Sequence, residues 1–275
     1  MTAMEQPPRM LQTEGVAEAR RPGRPPQLDA RLRAAADWVT DSEICADIGC
    51  DHGRLGAVLL SENRCRQLLA ADVSAKALAK ARRRIGALGY GPRTVFAVAD
   101  GLSALQALPG GRADTVCILG MGGDTVAGIL RRGQQQLVGA MLILGAQTEF
   151  SLTRLAVQQI GYQLKDERVV CAGGRLYLLL RAMPAACPVM YTERELLLGP
   201  CLLAGQPPLW RVWLTRKQRL LSAAVAAMHQ AAAPREAERL ALVERELRYT
   251  EEALLALEPA PEGKPQQIRE GEAGR

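Results

Sequence analysis

Asp47, Asp51 and His52, the last one of only two histidines in the chain, fall within six residues, interleaved with Gly49 and followed by Gly53 in the run I-C-A-D-I-G-C-D-H-G-R-L-G (44–56). An apolar run ending in an acid, then spaced glycines, then a second apolar run, predicts a strand, a tight turn and a helix start. Glycine lets the backbone approach a ligand closely, and a helix N-terminus offers unpaired N–H donors. Three further places repeat the pattern of an acid or glycine closing an apolar run: Asp72-Val73, Asp100-Gly101 and Gly120-Met121-Gly122-Gly123.

The spacing D-x-G-x-x-x-G at 47–53 departs from the G-x-G-x-x-G of nicotinamide dinucleotide binders, whose glycines cradle a pyrophosphate. An acid at the head of such a turn suits S-adenosyl-L-methionine, which has no pyrophosphate. On that reading Asp47, Gly49, Asp51 and His52 form the cofactor turn, and Asp72, with Val73, receives the ribose hydroxyls. Asp100, beside Gly101, faces the adenine edge, and the glycines around Met121, Gly120, Gly122 and Gly123, suggest that the ligand approaches the backbone closely. The competing reading makes the acids helix N-caps on a sheet that serves another ligand. Asp51 is equally open to a structural role in the turn, and His52 to that of a hydrogen-bonded structural residue.

These residues need a frame, and the apolar periodicity supplies one. Strands are expected at 44–48, 67–73, 94–99, 113–119 and 138–144, alternating with helices at 55–61, from Ser74 to about 88, to about 132, and 149–160. A hairpin closing at Ala172-Gly173-Gly174 joins two last strands near 163–171 and 175–181. Alternating strands and helices give βαβ units and a parallel sheet. The expected fold is α/β: a Rossmann-like, doubly wound, mostly parallel seven-stranded sheet, whose ligands bind beyond the strand C-termini. A helix carrying Arg31 precedes it over 28–39. After Pro184 a connector at 191–203 leads to two helices, 209–230 and 235–257, broken at Pro234. Leu240, Val243, Leu247, Thr250, Leu254 and Leu257 step by three and four, the seam of a coiled-coil hairpin. The domains expected are a disordered leader (1–27), a methyltransferase domain (28–184), a connector and helical hairpin (185–258) and a disordered tail (259–275).

Composition narrows the class of protein. With 275 residues, 23% charged and 48% hydrophobic, the chain has the make-up of a globular protein with one sizeable core. A net charge of +6 is compatible with a polyanionic partner without requiring one. Seven scattered cysteines without a C-x-x-C pair read as buried free thiols in a reducing compartment, and no metal is expected. The sequence has no apolar stretch of membrane-spanning length and no signal-like N-terminus, so a cytoplasmic protein without a membrane partner is expected. Arg211, Arg216, Lys217 and Arg219, beside Trp210 and Trp213, form the densest basic-aromatic cluster, suited to RNA backbone and bases; a solvated helix face with buried tryptophans is the alternative.

From Leu28 to Leu257 the chain resembles the bacterial tRNA (adenine-22, N1)-methyltransferase family. The resemblance is carried by L-D-A-R-L (28–32), A-D-I-G-C-D-H-G (46–53), A-D-G-L (99–102), I-L-G-M-G-G (118–123) and L-I-L-G-A-Q-T-E (142–149). G-R-L-Y (174–177) and L-G-P-C-L-L (198–203) add to it. It implies a class I methyltransferase that moves the methyl of S-adenosyl-L-methionine to N1 of a tRNA adenine, with a coiled-coil appendage helping to hold the tRNA. It also implies that Gly120–Gly123 border the target pocket and that Arg31 touches RNA. The chain departs from the family at Ala146, where proline is common, and has no N-P-P-Y clamp.

Adenine N1 is unprotonated at neutral pH, so alignment and exclusion of water matter more than a strong base. The product is cationic, and Asp51 and Asp100 are the candidate catalytic carboxylates that would stabilise it and accept the N6 proton. Because N1 lies on the pairing edge, the base must be unpaired or flipped out. Two other readings stand beside this one: a small-molecule methyltransferase whose hairpin is a lid or dimerisation arm, and a non-catalytic RNA-binding protein. A monomer is expected.

Overall fold

A computed structural model of the chain describes residues 23–231 and 237–257. Most of the expected leader, the tail at 259–275 and the break at Pro234 lie outside the described residues. Strands β1 (Ser42–Ile48), β2 (Cys65–Asp72), β3 (Thr94–Val98), β4 (Thr115–Met121), β5 (Met141–Ala146), β6 (Tyr162–Ala172) and β7 (Arg175–Pro184) form one sheet in the order β3-β2-β1-β4-β5-β7-β6. The five strands through β5 pair in parallel, whereas β7 runs antiparallel to both β5 and β6. Strand order reverses between β1 and β4, so a crevice opens there at the strand C-termini.

Alternation along the central strands feeds two cores, one on each face of the sheet. Leu68 and Ala70 of β2 join Cys45 beneath α1 (Ala30–Trp38), α2 (Arg54–Ser61) and α3 (Ala75–Ala87). Leu69 and Ala71 point the other way, with Ala46 and Ile48, towards α4 (Gly123–Gly133) and α5 (Phe150–Gln159). Burial on both faces explains why these strands read as continuous apolar runs. Cys45, Cys50, Cys65 and Cys117 are buried free thiols; Cys187 departs from that expectation and is exposed.

Several boundaries differ from the periodicity reading. β4 continues through Met121, so Gly120 and Met121 belong to the strand end and not to a separate turn. β5 begins at Met141 because Val138 and Gly139 take left-handed backbone angles that end the preceding turn. A 3-10 segment, Gly101–Ala107, follows β3 and buries Leu102, Ala104 and Leu105. The connector at 191–203 is instead two short helices, α6 (Glu193–Leu198) and α7 (Pro200–Gly205). Thr192 and Glu195 form a reciprocal capping box at the start of α6.

Gly199 sits between α6 and α7 at φ 100°, and a Cβ there would lie 2.6 Å from Glu167 and 2.8 Å from Arg154. That pair is fully buried and bonded at 2.8 Å. Arg154 also donates to the Leu196 carbonyl at 2.8 Å, at the end of α6, while Glu167 accepts from Cys201 N–H at 3.0 Å, at the start of α7. One ion pair thus caps two helix ends and fastens L-G-P-C-L-L to α5 and β6.

The last two helices, α8 (Trp210–Ala231) and α9 (Ala237–Leu255), pack against each other. Gln218 bonds Glu251 and His229 pairs with Glu244, so partners descend along α9 as residues ascend α8, and the two run antiparallel. Their base is not detached from the domain. Trp210, Leu214 and Ala253 are buried in the same core as Leu198 and Leu202.

Candidate functional site

The turn after β1 is held by its own backbone and by Asp72. Gly49 (φ 73°) and Cys50 both donate to the Ala71 carbonyl, at 2.8 and 2.9 Å, which locks the turn to β2. Asp72 uses one carboxylate oxygen for Asp51 N–H (3.0 Å) and the other for Ser74 N–H (2.8 Å). It therefore bridges two strand-end turns, and each oxygen keeps a lone pair for a further donor. Gly53, at φ 64°, lets α2 lie against α3, since a Cβ there would meet the Ala81 Cβ at 2.8 Å.

Asp47 is 5% exposed, and the Gly56 N–H in the first turn of α2, whose cap position is Gly53, favours its charged form. Burial pushes its carboxyl up to about 7, with Asp72 and Asp51 adding to the rise and the Gly56 bond opposing it. The cap position of α2 is Gly53 and not Asp47, and Asp100, which precedes the 3-10 segment, makes no side-chain cap bond and faces Arg132 at 3.5 Å.

Asp51 adopts φ 47° and is largely exposed; its carboxylate meets His52 Nδ1 at 3.0 Å. Lys80 of α3 lies 2.8 Å from His52 Nε2. An ammonium can only donate, so Nε2 accepts and the proton of a neutral ring sits on Nδ1, facing Asp51. His52 is a polar link between α3 and the turn.

A cavity of about 540 Å³ opens at the β1–β4 switch point. Asp47, Gly49, Asp51, His52, Asp72, Val73, Asp100, Gly101, Gly120 and Met121 all line it, so the four strand ends do converge. Gly122 does not line it and sits instead 3.5 Å, as measured from a built Cβ, from the Thr148 hydroxyl. Gly123 is glycine because a Cβ would fall 2.3 Å from the Glu149 carbonyl oxygen and 2.4 Å from that of Thr148. In G-M-G-G, then, Gly123 serves a neighbouring backbone, where the sequence suggested a ligand, and it holds the loops after β4 and β5 together. Met121 folds over Gly49, closing the floor.

Arg31 also lines the cavity; its guanidinium stacks over Tyr177 at 5.3 Å and lies beside Gly120. Asp29 caps α1 by accepting from Leu32 N–H at 2.8 Å. L-D-A-R-L and G-R-L-Y, far apart in sequence, are therefore one contact. Sequence reasoning missed Gln147, Thr125 and Arg54 as lining residues. Gln147 follows β5 and was open to discovery by the same strand-end rule; Arg54 and Thr125 carry no such signal.

The cavity wall is rich in carboxylates. Asp29, Asp47, Asp51, Asp72 and Asp100 line it against Arg31, Arg54 and His52, and Arg54 is engaged with the Gln27 carbonyl. Such a wall favours a ligand with positive charge and hydroxyl donors and repels a pyrophosphate. S-adenosylmethionine, with a sulfonium, an ammonium and a ribose diol, fits this donor set. Among the described residues no group of three or more His, Cys, Asp or Glu is gathered to hold a metal, and no helix is long and apolar enough to cross a membrane.

Arg211, Arg216 and Lys217 lie elsewhere, on α8. Lys217 is paired with Glu246 of α9, and Arg216 is exposed. Trp210 is buried in the core, so it cannot stack on a base; Trp213 meets Phe150 edge to face at 5.1 Å.

Residues 28–180 match a family model described as a methyltransferase domain. The chain is 28% identical over 181 residues to the tRNA (adenine(22)-N(1))-methyltransferase of Bacillus subtilis, covering 64% of this chain and 75% of that protein. It is 30% identical over 179 residues to a protein of Mycoplasma pneumoniae named as a putative tRNA methyltransferase, covering 64% and 81%. Among solved structures, it superposes on a putative tRNA (m1A22) methyltransferase of Streptococcus pneumoniae in complex with S-adenosyl-L-methionine. The TM-score is 0.72, at 22% identity over 83% of this chain and all of that one.

Proposed function

The chain belongs to the methyltransferase-domain family, and from that premise we propose that it transfers a methyl group from S-adenosyl-L-methionine to N1 of an adenine in tRNA, at position 22. The observation that carries the cofactor is the carboxylate-lined cavity at the switch point. The B. subtilis and M. pneumoniae relatives carry the substrate.

When bound, S-adenosylmethionine supplies an electrophilic methyl group on a sulfonium. Asp72 has free lone pairs for ribose hydroxyls, and Asp100 with Gly101 borders the adenine. Asp47 presents a carboxyl whose ionisation a cation would favour. Met121 and the packed loops after β4 and β5 exclude water from the floor. The target adenine enters past Gly120 and Gln147 and needs only alignment, since its N1 lone pair is already free. Asp51 or Asp100 then offsets the positive charge that develops on the adenine.

In this reading the chain divides near residue 184 into a catalytic domain and a helical appendage. The appendage, α8 with α9, is a coiled-coil hairpin: Leu240, Val243, Leu247, Thr250, Leu254 and Leu257 are all buried or half-buried. It holds the tRNA, with Arg31 at the cavity and Arg211, Arg216 and Lys217 on α8 meeting phosphates. Lys217 contributes least, since Glu246 already offsets its charge. The protein works as a monomer in the cytoplasm.

Calorimetry with S-adenosylmethionine tests the cofactor, and nucleoside mass spectrometry of tRNA incubated with protein and cofactor tests the acceptor. Binding that Asp72→Ala weakens, followed by 1-methyladenosine in the tRNA, is the expected result. No binding by the wild type overturns the proposal; methylation of small molecules but not tRNA replaces it with the small-molecule reading.

A further inference from the structure

A second cavity of about 500 Å³ lies between the loop after β5, α5 and the α8–α9 pair. It shares Gln147 with the cofactor cavity, so the two sites adjoin at the loop where the acceptor enters. Its wall carries the T-shaped pair Phe150–Trp213, with Leu176 and Leu197 behind them. Both rings are half-buried, resting on the core, and both also line this cavity. At the mouth stand Arg216 and Lys217 of α8. Lys217 is paired with Glu246, while Arg216 is exposed and makes no ion pair among the described residues. Glu149 faces the same space.

We infer that this second cavity receives an unpaired nucleobase of the substrate RNA, a neighbour in sequence of the methylated adenine. The inference rests on the tRNA reading above and deepens it. A base needs a flat apolar slot with a cation near its phosphate, which is what Phe150, Trp213 and Arg216 provide. The wall shared at Gln147 makes the occupant a near neighbour of the adenine in the first cavity. Adenine 22 must leave its stack to be methylated, and a captured neighbour would hold the strand open around it. An apolar small molecule has no use for the exposed Arg216.

The test places the fluorescent base 2-aminopurine at each nucleotide flanking the target in a tRNA transcript and adds the full chain with S-adenosylhomocysteine. One flanking position should be quenched on binding to wild-type protein and to Trp213→Phe, which keeps a ring, but not to Trp213→Leu. Trp213→Leu should raise KM for tRNA about tenfold while leaving S-adenosylmethionine affinity unchanged. Unchanged cofactor affinity also reports that the variant is folded. Quenching at no flanking position, or quenching retained in Trp213→Leu with an unchanged KM, overturns the inference. Wild-type protein that methylates tRNA in either of those outcomes shows that this inference failed and the proposed function did not; absence of methylation by the wild type shows the reverse.

Discussion

At the scale of single residues, Asp47 and Gly123 have roles that neighbouring atoms decide. The buried carboxyl of Asp47 is raised to about 7 from an ordinary value of 3.8. The folded state therefore holds its proton more tightly than the unfolded chain does, and stability from this group is full below about pH 4 and is lost as pH rises through 7. We predict that apo protein loses thermal stability across that window and that Asp47→Asn, which cannot ionise, flattens the profile. Chemical denaturation at pH 5 and pH 8 measures the difference, expected to be a few kcal/mol from a shift of this size. Gly123→Ala should cost roughly 1–3 kcal/mol, since its Cβ meets two carbonyl oxygens that cannot yield without separating the loops after β4 and β5. The melting temperature reports it. Sequence alone marked both residues but did not reveal the burial of Asp47 or the contact of Gly123 with the loop after β5. Burial and backbone approach depend on what lies across the sheet, which no local spacing encodes.

At the scale of elements, the Arg154–Glu167 pair decides how α6 and α7 sit on the sheet. Arg154→Met leaves Glu167 buried and unpaired, and a loss of about 3–5 kcal/mol is expected in urea denaturation. Adding Glu167→Leu should recover only part of that loss, because the carbonyls ending α6 and the N–H groups starting α7 would then lack partners. Full recovery would show that the pair is not a cap. Strands and helices of the sheet were legible because each carries its own period and its own terminators. α6 and α7 were read as a connector because each is six residues long, too short for a period, and held by residues more than thirty positions away. Gly199 was visible as a glycine before a proline, but only the buried ion pair beneath it explains why no other residue fits.

At the scale of the whole molecule, the crevice at the β1–β4 reversal was legible before any coordinates, since four strand ends carried acids or glycines and all four converge there. The second cavity was not, because its walls come from α5, β7 and the last two helices at once. The anchoring of the hairpin was legible as one of two readings: Trp210 was open to stacking on a base or to burial, and it is a core residue. Trp210→Ala should accordingly cost about 3–5 kcal/mol in global stability, measured by denaturation, and not act selectively on RNA binding. Phosphate contacts along α8 predict that tRNA affinity falls steeply between 50 and 200 mM salt, while S-adenosylmethionine affinity stays nearly constant. The central claim, a methyl group delivered to N1 of adenine 22, is tested most directly by ribonuclease mapping with mass spectrometry of an unmodified tRNA transcript after incubation with the protein and S-adenosylmethionine. One 1-methyladenosine at position 22, absent from a transcript carrying guanine there, is the predicted result. Methylation at another atom or position, or none with cofactor bound, would contradict it.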